Sequence, residues 1–189
     1  MAIEGSDENF RNLKSNLGKQ YFDLCHLKVI NQLISNKKGK TEFTTSLGAN
    51  NSMMINSDNE QFKNLKLKYD LVNTDTLYNV LKNENFLEDI DFIKIDIEGA
   101  EPLVIDDLLK IKPKSMFIEF SNKNSLDNNL NAISKLVDSG YFCSNGNNRF
   151  SDYFEVEKFI ENVWQNKGIG SVIRATDLWF FKNQTQNGR

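Results

Sequence analysis

The stretch from Asp91 to Glu101, DFIKIDIEGAE, constrains the fold of this chain more than any other. It reads as a short strand followed by a tight turn at Gly99, with a helix beginning at Pro102. Alternation places three isoleucines on one face of the strand and the following residues on the other: Phe92, Lys94, Asp96 and Glu98. Because the stretch lies mid-chain between helical patterns, we expect an interior strand of an α/β sheet.

The charged face of this strand has two interpretations. A buried unpaired charge is costly, so the first interpretation is an edge strand, or a wet sheet end where Lys94 pairs with Asp96. The second is a functional site, since ligands of open α/β sheets bind beyond the carboxyl ends of the strands, where Asp96 and Glu98 would lie. The turn at Gly99 favours the functional site.

The rest of the chain alternates between strand and helix patterns. Strands are predicted at 2–4, 27–34, 41–45, 66–72, 116–120, 141–144 and 177–182. Helices are predicted from the Ser6 cap to Gly18 and over 76–87, 102–112, 126–139 and 154–164. The last two strands can close antiparallel across the insertion 149–176. This order predicts an α/β fold with a doubly wound, Rossmann-like sheet and an antiparallel last strand.

Length and composition are those of one globular domain. The chain has 189 residues, of which 39% are hydrophobic and 26% charged, and a net charge of −3. We therefore expect a single domain over 1–183 with a frayed tail at 184–189. The slightly negative net charge does not indicate a basic surface for binding nucleic acid.

Sequence patterns also bear on the compartment. No window approaches the roughly 18 consecutive apolar residues that a membrane span requires, and the start shows no secretory signal pattern. Cys25 and Cys143 do not form a metal-ligand spacing, and two unassigned thiols suit a reducing compartment. We expect a cytoplasmic protein without a membrane span.

The central stretch carries a family resemblance. DFIKIDIEGAE resembles the Lys-x-Asp-x-Glu-Gly-x-Glu landmark strand of FkbM-type methyltransferases. Other segments are similar to that family's second strand and helix, third strand, following loop and later strands: AIEGSDENFRNLKSNL, VINQLISNKKGKTEF, ANNSMM, MFIEFS and DLWFFK. The resemblance spans nearly the full chain. It implies a class I methyltransferase sheet that uses S-adenosylmethionine to O-methylate a sugar or another small hydroxylated acceptor.

The resemblance also implies a set of cofactor contacts. Glu4, at the carboxyl end of the family's second strand, would accept hydrogen bonds from the ribose hydroxyls. The segment from Asn31 to Ser35 would lie near the adenine, and Asp96 would face the methionine portion or the methyl group. We expect no metal ion in this set.

Methyl transfer to a hydroxyl requires aligned reactants and a base that takes the hydroxyl proton. Asp96 and Glu98 are the candidate bases, with Lys94 close by as a third candidate catalytic residue. Glu98 has an alternative role that is equally compatible with the sequence, namely bracing the turn by accepting backbone N–H groups.

The chain departs from the family pattern at its start. The family has a first strand and a glycine-rich loop before the strand that ends at Glu4, and this sequence shows neither. We therefore expect a half-built site that binds S-adenosylhomocysteine weakly or undetectably. The alternatives are a catalytically incompetent remnant, or a partner-dependent half-domain whose exposed sheet edge invites homo-oligomerisation. A metal-dependent glycosyltransferase-like domain using Asp96 and Glu98 is a weaker alternative.

Other candidate features favour structural interpretations. His26, the single histidine, has no evident catalytic partner. A divalent cation between Asp96, Glu98 and Glu119 is less favoured than separate solvated carboxylates. The Gly168–Ser171 segment reads as a turn. The aromatic residues of the last insertion suit a satellite core better than a lid over the acceptor: Phe150, Tyr153, Phe154, Phe159 and Trp164.

Overall fold

A computed structural model describes residues 1–24, 27–45, 68–121, 123–150, 152–165 and 175–182. Within these ranges the strands are β1 (Ala2–Glu4), β2 (Val29–Asn31), β3 (Leu33–Ile34), β4 (Gly39–Thr44), β5 (Tyr69–Asp75), β6 (Phe92–Ile95), β7 (Ser115–Ser121), β8 (Tyr141–Ser144) and β9 (Ala175–Lys182). The α-helices are α1 (Asp7–Leu24), α2 (Leu77–Asn83), α3 (Ile105–Ile111), α4 (Leu126–Asp138) and α5 (Tyr153–Gln165). A 3₁₀ turn, Glu101–Val104, leads into α3.

The strands form three sheets with mixed directions. β1 pairs in parallel with β2, and a second sheet has the order β3-β5-β4. The third sheet has the order β6-β7-β9-β8, in which β6 is parallel to β7 and β9 is antiparallel to both of its neighbours. The predicted antiparallel closure of the last two strands is therefore confirmed. The mixed α/β arrangement is compatible with the predicted Rossmann-like sheet.

The core lies on one face of the third sheet. Side chains that point to this face from β7 and β9 are buried: Met116, Ile118, Phe120, Leu178 and Phe180. Cys143 in β8 joins them at 2% exposure. Helix α4 and the 3₁₀ turn pack on this side. The opposite face is only half-buried, and there Trp179 contacts Phe117 with ring centroids 4.7 Å apart.

Capping side chains define where the helices begin. Thr76 accepts the Asn79 N–H at 3.1 Å and caps α2. Ser125 accepts the Asn128 N–H at 3.2 Å and caps α4. Each hydroxyl satisfies an amide that has no partner within its own helix, so these boundaries follow from local sequence.

The helix that begins after Ser6 is interrupted at Gly18, the residue where it was predicted to end. Gly18 leaves the helical conformation, with φ 60° and ψ 164°, and a second helical segment follows it, so that α1 as a whole extends to Leu24. A glycine without a Cβ accepts this conformation readily, which permits a kink within the helix.

Two strand predictions are wrong. The predicted interior strand, β6, pairs only with β7 among the described residues, so it lies at an edge of the third sheet. The single strand predicted over 27–34 is two strands, because Gln32 separates β2, which pairs with β1, from β3, which pairs with β5. The local pattern predicted extended backbone in this segment but carried no information on which neighbour each half would take.

The aromatic residues of the last insertion mostly pack as a satellite core. Phe150 is buried and contacts Phe159 with ring centroids 5.3 Å apart, and Tyr153 and Trp164 pack against the same core. Phe154 is the exception at 57% exposure. Cys25, His26, the Gly168–Ser171 turn and the tail from 184 lie outside the described residues. None of the described helices is long and apolar enough to cross a membrane.

Candidate functional site

The carboxyl ends of β1 and β6 line a common cavity of about 310 Å³. From β1 and the residues after it come Ile3, Glu4, Gly5, Ser6 and Asn9; from β6 and its turn come Asp96, Ile97 and Glu98. The structure thus brings together three predicted site residues, Glu4, Asp96 and Glu98. Glu4 lies more than 90 positions before the other two in the sequence.

Glu4 is half-buried at the edge of this cavity. Its Oε1 accepts the Ser6 N–H at 2.8 Å, while its Oε2 accepts no hydrogen bond from the described part of the chain. Gly5 follows in close contact with β3, because a Cβ at this position would lie 2.7 Å from Leu33 Cδ1. The chain therefore presents one carboxylate oxygen beside a closely packed backbone.

Asp96 is paired with Lys94, two residues earlier on the same face. The Lys94 Nζ lies 2.8 Å from Asp96 Oδ2, and the hydrogen bond to this carboxylate raises the pKa of the Lys94 ammonium. Both side chains are partly exposed to solvent, at 55% and 34%. The Lys94–Asp96 ion pair predicted for a solvent-exposed edge strand is thus present, and Asp96 also lines the cavity.

Glu98 belongs to the turn and not to the strand. Strand β6 ends at Ile95, and Glu98 has a φ of 58°, in the left-handed region. Its carboxylate forms an ion pair with Lys123, whose side chain is only 1% exposed and comes from the loop after β7. The strand alternation that grouped Glu98 with Asp96 therefore stops before this residue.

Glu101 performs the bracing role that the sequence left open for Glu98. Its Oε1 accepts the N–H groups of Ile97 at 3.1 Å and of Gly99 at 3.0 Å. The side chain is almost completely buried, and burial raises the pKa of its carboxyl to about 7. Sequence reasoning missed this residue, although the second Glu of the landmark motif was a signal that could have identified it.

The two residues expected near the adenine lie outside the cavity lining. Asn31 is exposed, and its Nδ2 donates to Asp7 Oδ1. Ser35 is buried, and its N–H donates to the Asp75 carbonyl at 3.0 Å. Of the predicted segment between them, Gln32, Leu33 and Ile34 do line the cavity.

Glu119 places another carboxyl near this end of the sheet. Burial, followed by the nearby charges of Asp96 and Asp177, raises its pKa, while Lys94 lowers it. Asp177 is the residue opposite Glu119 on β9. Within the described ranges no group of three histidine, cysteine or acidic residues is arranged to hold a metal ion.

A second, larger groove of about 640 Å³ adjoins the site. Residues Met1 to Ile3 line one side and Phe92 to Ile97 the other, so the groove runs between β1 and β6. Leu77, Leu81 and Val104 contribute apolar surface. Asp96 lines both the groove and the smaller cavity, and it therefore lies where the two meet.

Comparison with known proteins identifies the family of the chain. A family model described as the methyltransferase FkbM domain matches residues 1–163, which include every residue of the cavity. No curated protein and no solved structure matches the chain. Because the family model covers most of the sequence, the chain belongs to the FkbM methyltransferase family.

Proposed function

We propose that this chain is an S-adenosylmethionine-dependent methyltransferase domain that O-methylates a sugar or another small hydroxylated acceptor. The observation that supports the proposal is the shared cavity of Glu4, Asp96 and Glu98 in a chain of the FkbM family. Carboxylates at the carboxyl ends of strands are the groups by which nucleotide-binding sheets hold ribose hydroxyls.

The residues around Glu4 fit the ribose end of such a cofactor. Glu4 Oε1 is fixed by the Ser6 N–H, which leaves Oε2 able to accept hydroxyl hydrogens. When bound, the cofactor supplies a methyl group on a positively charged sulfur. The cavity of about 310 Å³ lies at the lower end of the range for small-molecule sites, roughly 300–1,000 Å³.

Asp96 and Glu98 are the candidate groups for orienting the acceptor and taking its proton. Each carboxylate is held by an ammonium, Asp96 by Lys94 and Glu98 by Lys123. Such pairing fixes the position of a carboxylate, and position is the main requirement for an in-line displacement. Asp96, which also faces the adjoining groove, is the residue through which an acceptor in the groove would meet the cofactor.

Ligand-observed NMR with S-adenosylhomocysteine tests this proposal, because saturation transfer detects weak binding. We expect a weak signal for the chain, a clear reduction in Glu4→Ala and no change in the matched control Glu42→Ala, which removes an exposed carboxylate on β4. Equal signals from the chain and Glu4→Ala would contradict the role of Glu4.

A second candidate is a half-domain completed by another polypeptide. The specific observation is the groove between β1 and β6, since each strand pairs on one side only among the described residues. Unpaired strand edges offer N–H and C=O groups to an added strand. A chain that gives no S-adenosylhomocysteine signal alone but gains one with a partner would favour this candidate.

A further inference from the structure

We propose that Glu101 is a positioning residue of the transfer site, whose side chain sets the turn between Asp96 and the helix and thereby places Asp96 and Glu98. The link to methyl transfer rests on the proposed function, because that function assigns the two carboxylates their roles. The control of the turn itself rests on the contacts of Glu101.

The turn adopts a backbone conformation that needs outside support. Glu98 has φ 58° and Gly99 has φ 98°, so two consecutive residues lie at positive φ. This region is unfavourable for a residue with a Cβ, and it persists only where surrounding contacts hold it. For Glu98, the conformation determines where its carboxylate points.

Glu101 supplies the contacts that hold this backbone. A single oxygen, Oε1, accepts the N–H of Ile97 at 3.1 Å and the N–H of Gly99 at 3.0 Å. These two amides flank Glu98, so the carboxylate bridges the residue that has the strained φ. With an exposure of 1%, Glu101 meets little competition from water for either amide.

The loop after β7 holds the other side of the same turn. Asn124 Nδ2 donates to the Gly99 carbonyl at 3.0 Å, and Lys123 pairs with the Glu98 carboxylate. A Cβ on Gly99 would lie 2.6 Å from Lys123 Cβ. The turn is therefore held on one side by the loop after β7 and on the other by Glu101, the described side chain that accepts its N–H groups.

A purely structural brace would not require a carboxylate. Glu101 Oε2 is buried without a hydrogen-bond partner in the described part of the chain. Burying such an oxygen is unfavourable, whereas a neutral side chain with one acceptor would hold the same two amides. Costly local features of this kind concentrate at functional sites.

The test uses backbone NMR of the full, isotopically labelled chain and three variants. Glu101→Gln keeps an acceptor at the same reach, Glu101→Asp keeps the charge but withdraws the acceptor by one methylene, and Glu101→Ala removes it. We expect the carbon shifts of Glu98 and the amide shifts of Ile97 and Gly99 to stay near wild type in Glu101→Gln. In Glu101→Asp and Glu101→Ala they should move away from the values of a left-handed turn.

The control removes a different buried carboxylate that also binds a backbone amide. Asp107 is 7% exposed and accepts the Tyr78 N–H at 2.9 Å. Asp107→Ala should leave the shifts of Ile97 to Gly99 unchanged, even where it lowers the melting temperature as much as the Glu101 variants do. Unchanged turn shifts in Glu101→Asp, or equal turn shifts in the control, would overturn the inference. If Glu101→Ala does not fold, the difference in turn shifts between Glu101→Asp and Glu101→Gln decides the inference.

Binding of S-adenosylhomocysteine to the same variants separates the inference from the proposed function. We expect Glu101→Gln to bind within about twofold of wild type and Glu101→Asp about tenfold more weakly. If wild type shows no binding, the proposed function of the chain alone fails, while the turn shifts still decide the role of Glu101. Equal binding by wild type and Glu101→Asp, with the turn displaced, would overturn the positioning role.

Discussion

At the residue scale, three neighbouring carboxylates have three different environments. Asp96 is partly exposed and paired with Lys94, Glu98 is paired with the buried Lys123, and Glu101 is buried against two backbone amides. The landmark motif contains all three, although only Asp96 and Glu98 were predicted to be site residues. It could not assign their roles, because the difference arises where the strand ends at Ile95 and alternation stops.

Glu101 gives the stability of the protein a specific pH dependence. Burial raises the pKa of this carboxyl from 4.5 to about 7, so between these values the folded state binds a proton that the unfolded state has lost. Stability should therefore fall as pH rises through this window, by roughly 3 kcal/mol in order of magnitude. Glu101→Gln removes the titrating group.

Urea unfolding at pH 5 and pH 8 measures this effect. The loss of stability between the two values should be smaller in Glu101→Gln than in wild type, and the variant should be the more stable protein at pH 8. Identical losses in both proteins would show that Glu101 is ionised throughout the range in the folded state.

Gly99→Ala tests the close contact between the turn at Gly99 and the loop after β7 that contains Lys123. The new Cβ would lie 2.6 Å from Lys123 Cβ at a φ of 98°, so strain and overlap both act. We expect a loss of about 2–4 kcal/mol in the free energy of unfolding. Gly140→Ala is the control, because its φ is also positive at 88° but no atom lies within 4 Å of its Cβ. A similar loss in both variants would contradict a steric contribution at Gly99.

At the element scale, the boundaries that local chemistry determines were predictable. The helix predicted at 126–139 is α4 (Leu126–Asp138), and the strand predicted at 141–144 is β8. Both have boundary residues with a local reason, the Ser125 cap and the positive φ of Gly140. The edge position of β6 and the division at Gln32 depend on partners distant in sequence, and local patterns do not encode them.

Ser125→Ala should shorten or weaken α4. The substitution removes the hydroxyl that accepts the Asn128 N–H, and loss of such a cap costs about 1 kcal/mol. Urea unfolding against Asn131→Ala, an exposed position within the same helix, provides the comparison. Because alanine favours a helix interior, that control should be neutral or slightly stabilising. Equal stability of the two variants would contradict a capping role for Ser125.

At the scale of the whole molecule, the α/β class followed from the alternation of strand and helix patterns, and the joining of Glu4 with Asp96 followed from the family resemblance. The groove between β1 and β6 could be anticipated only in part. Its lining includes Leu77 and Val104, which are also buried residues of the core. Lys123 escaped detection because a buried charge outside any motif is recognised only when its partners across the fold are known.

The open side of β6 predicts self-association that depends on protein concentration. Phe92 lies on this strand with 48% exposure, and the side of β6 that has no pairing strand among the described residues permits pairing with another copy. Phe92→Lys should reduce the associated fraction in sedimentation velocity. Phe154→Lys is the control, since Phe154 is 57% exposed but lies on helix α5, which has no strand edge. Equal effects of both variants would indicate general surface hydrophobicity instead.

The burial of Cys143 has a practical consequence for following such variants in solution. The thiol is 2% exposed, and burial raises its pKa to about 12, so almost no reactive thiolate exists in the folded protein. Alkylation at Cys143 therefore requires β8 to open first. In a Cys25→Ser background, the rate of labelling by iodoacetamide would report the opening free energy of the core without any added probe.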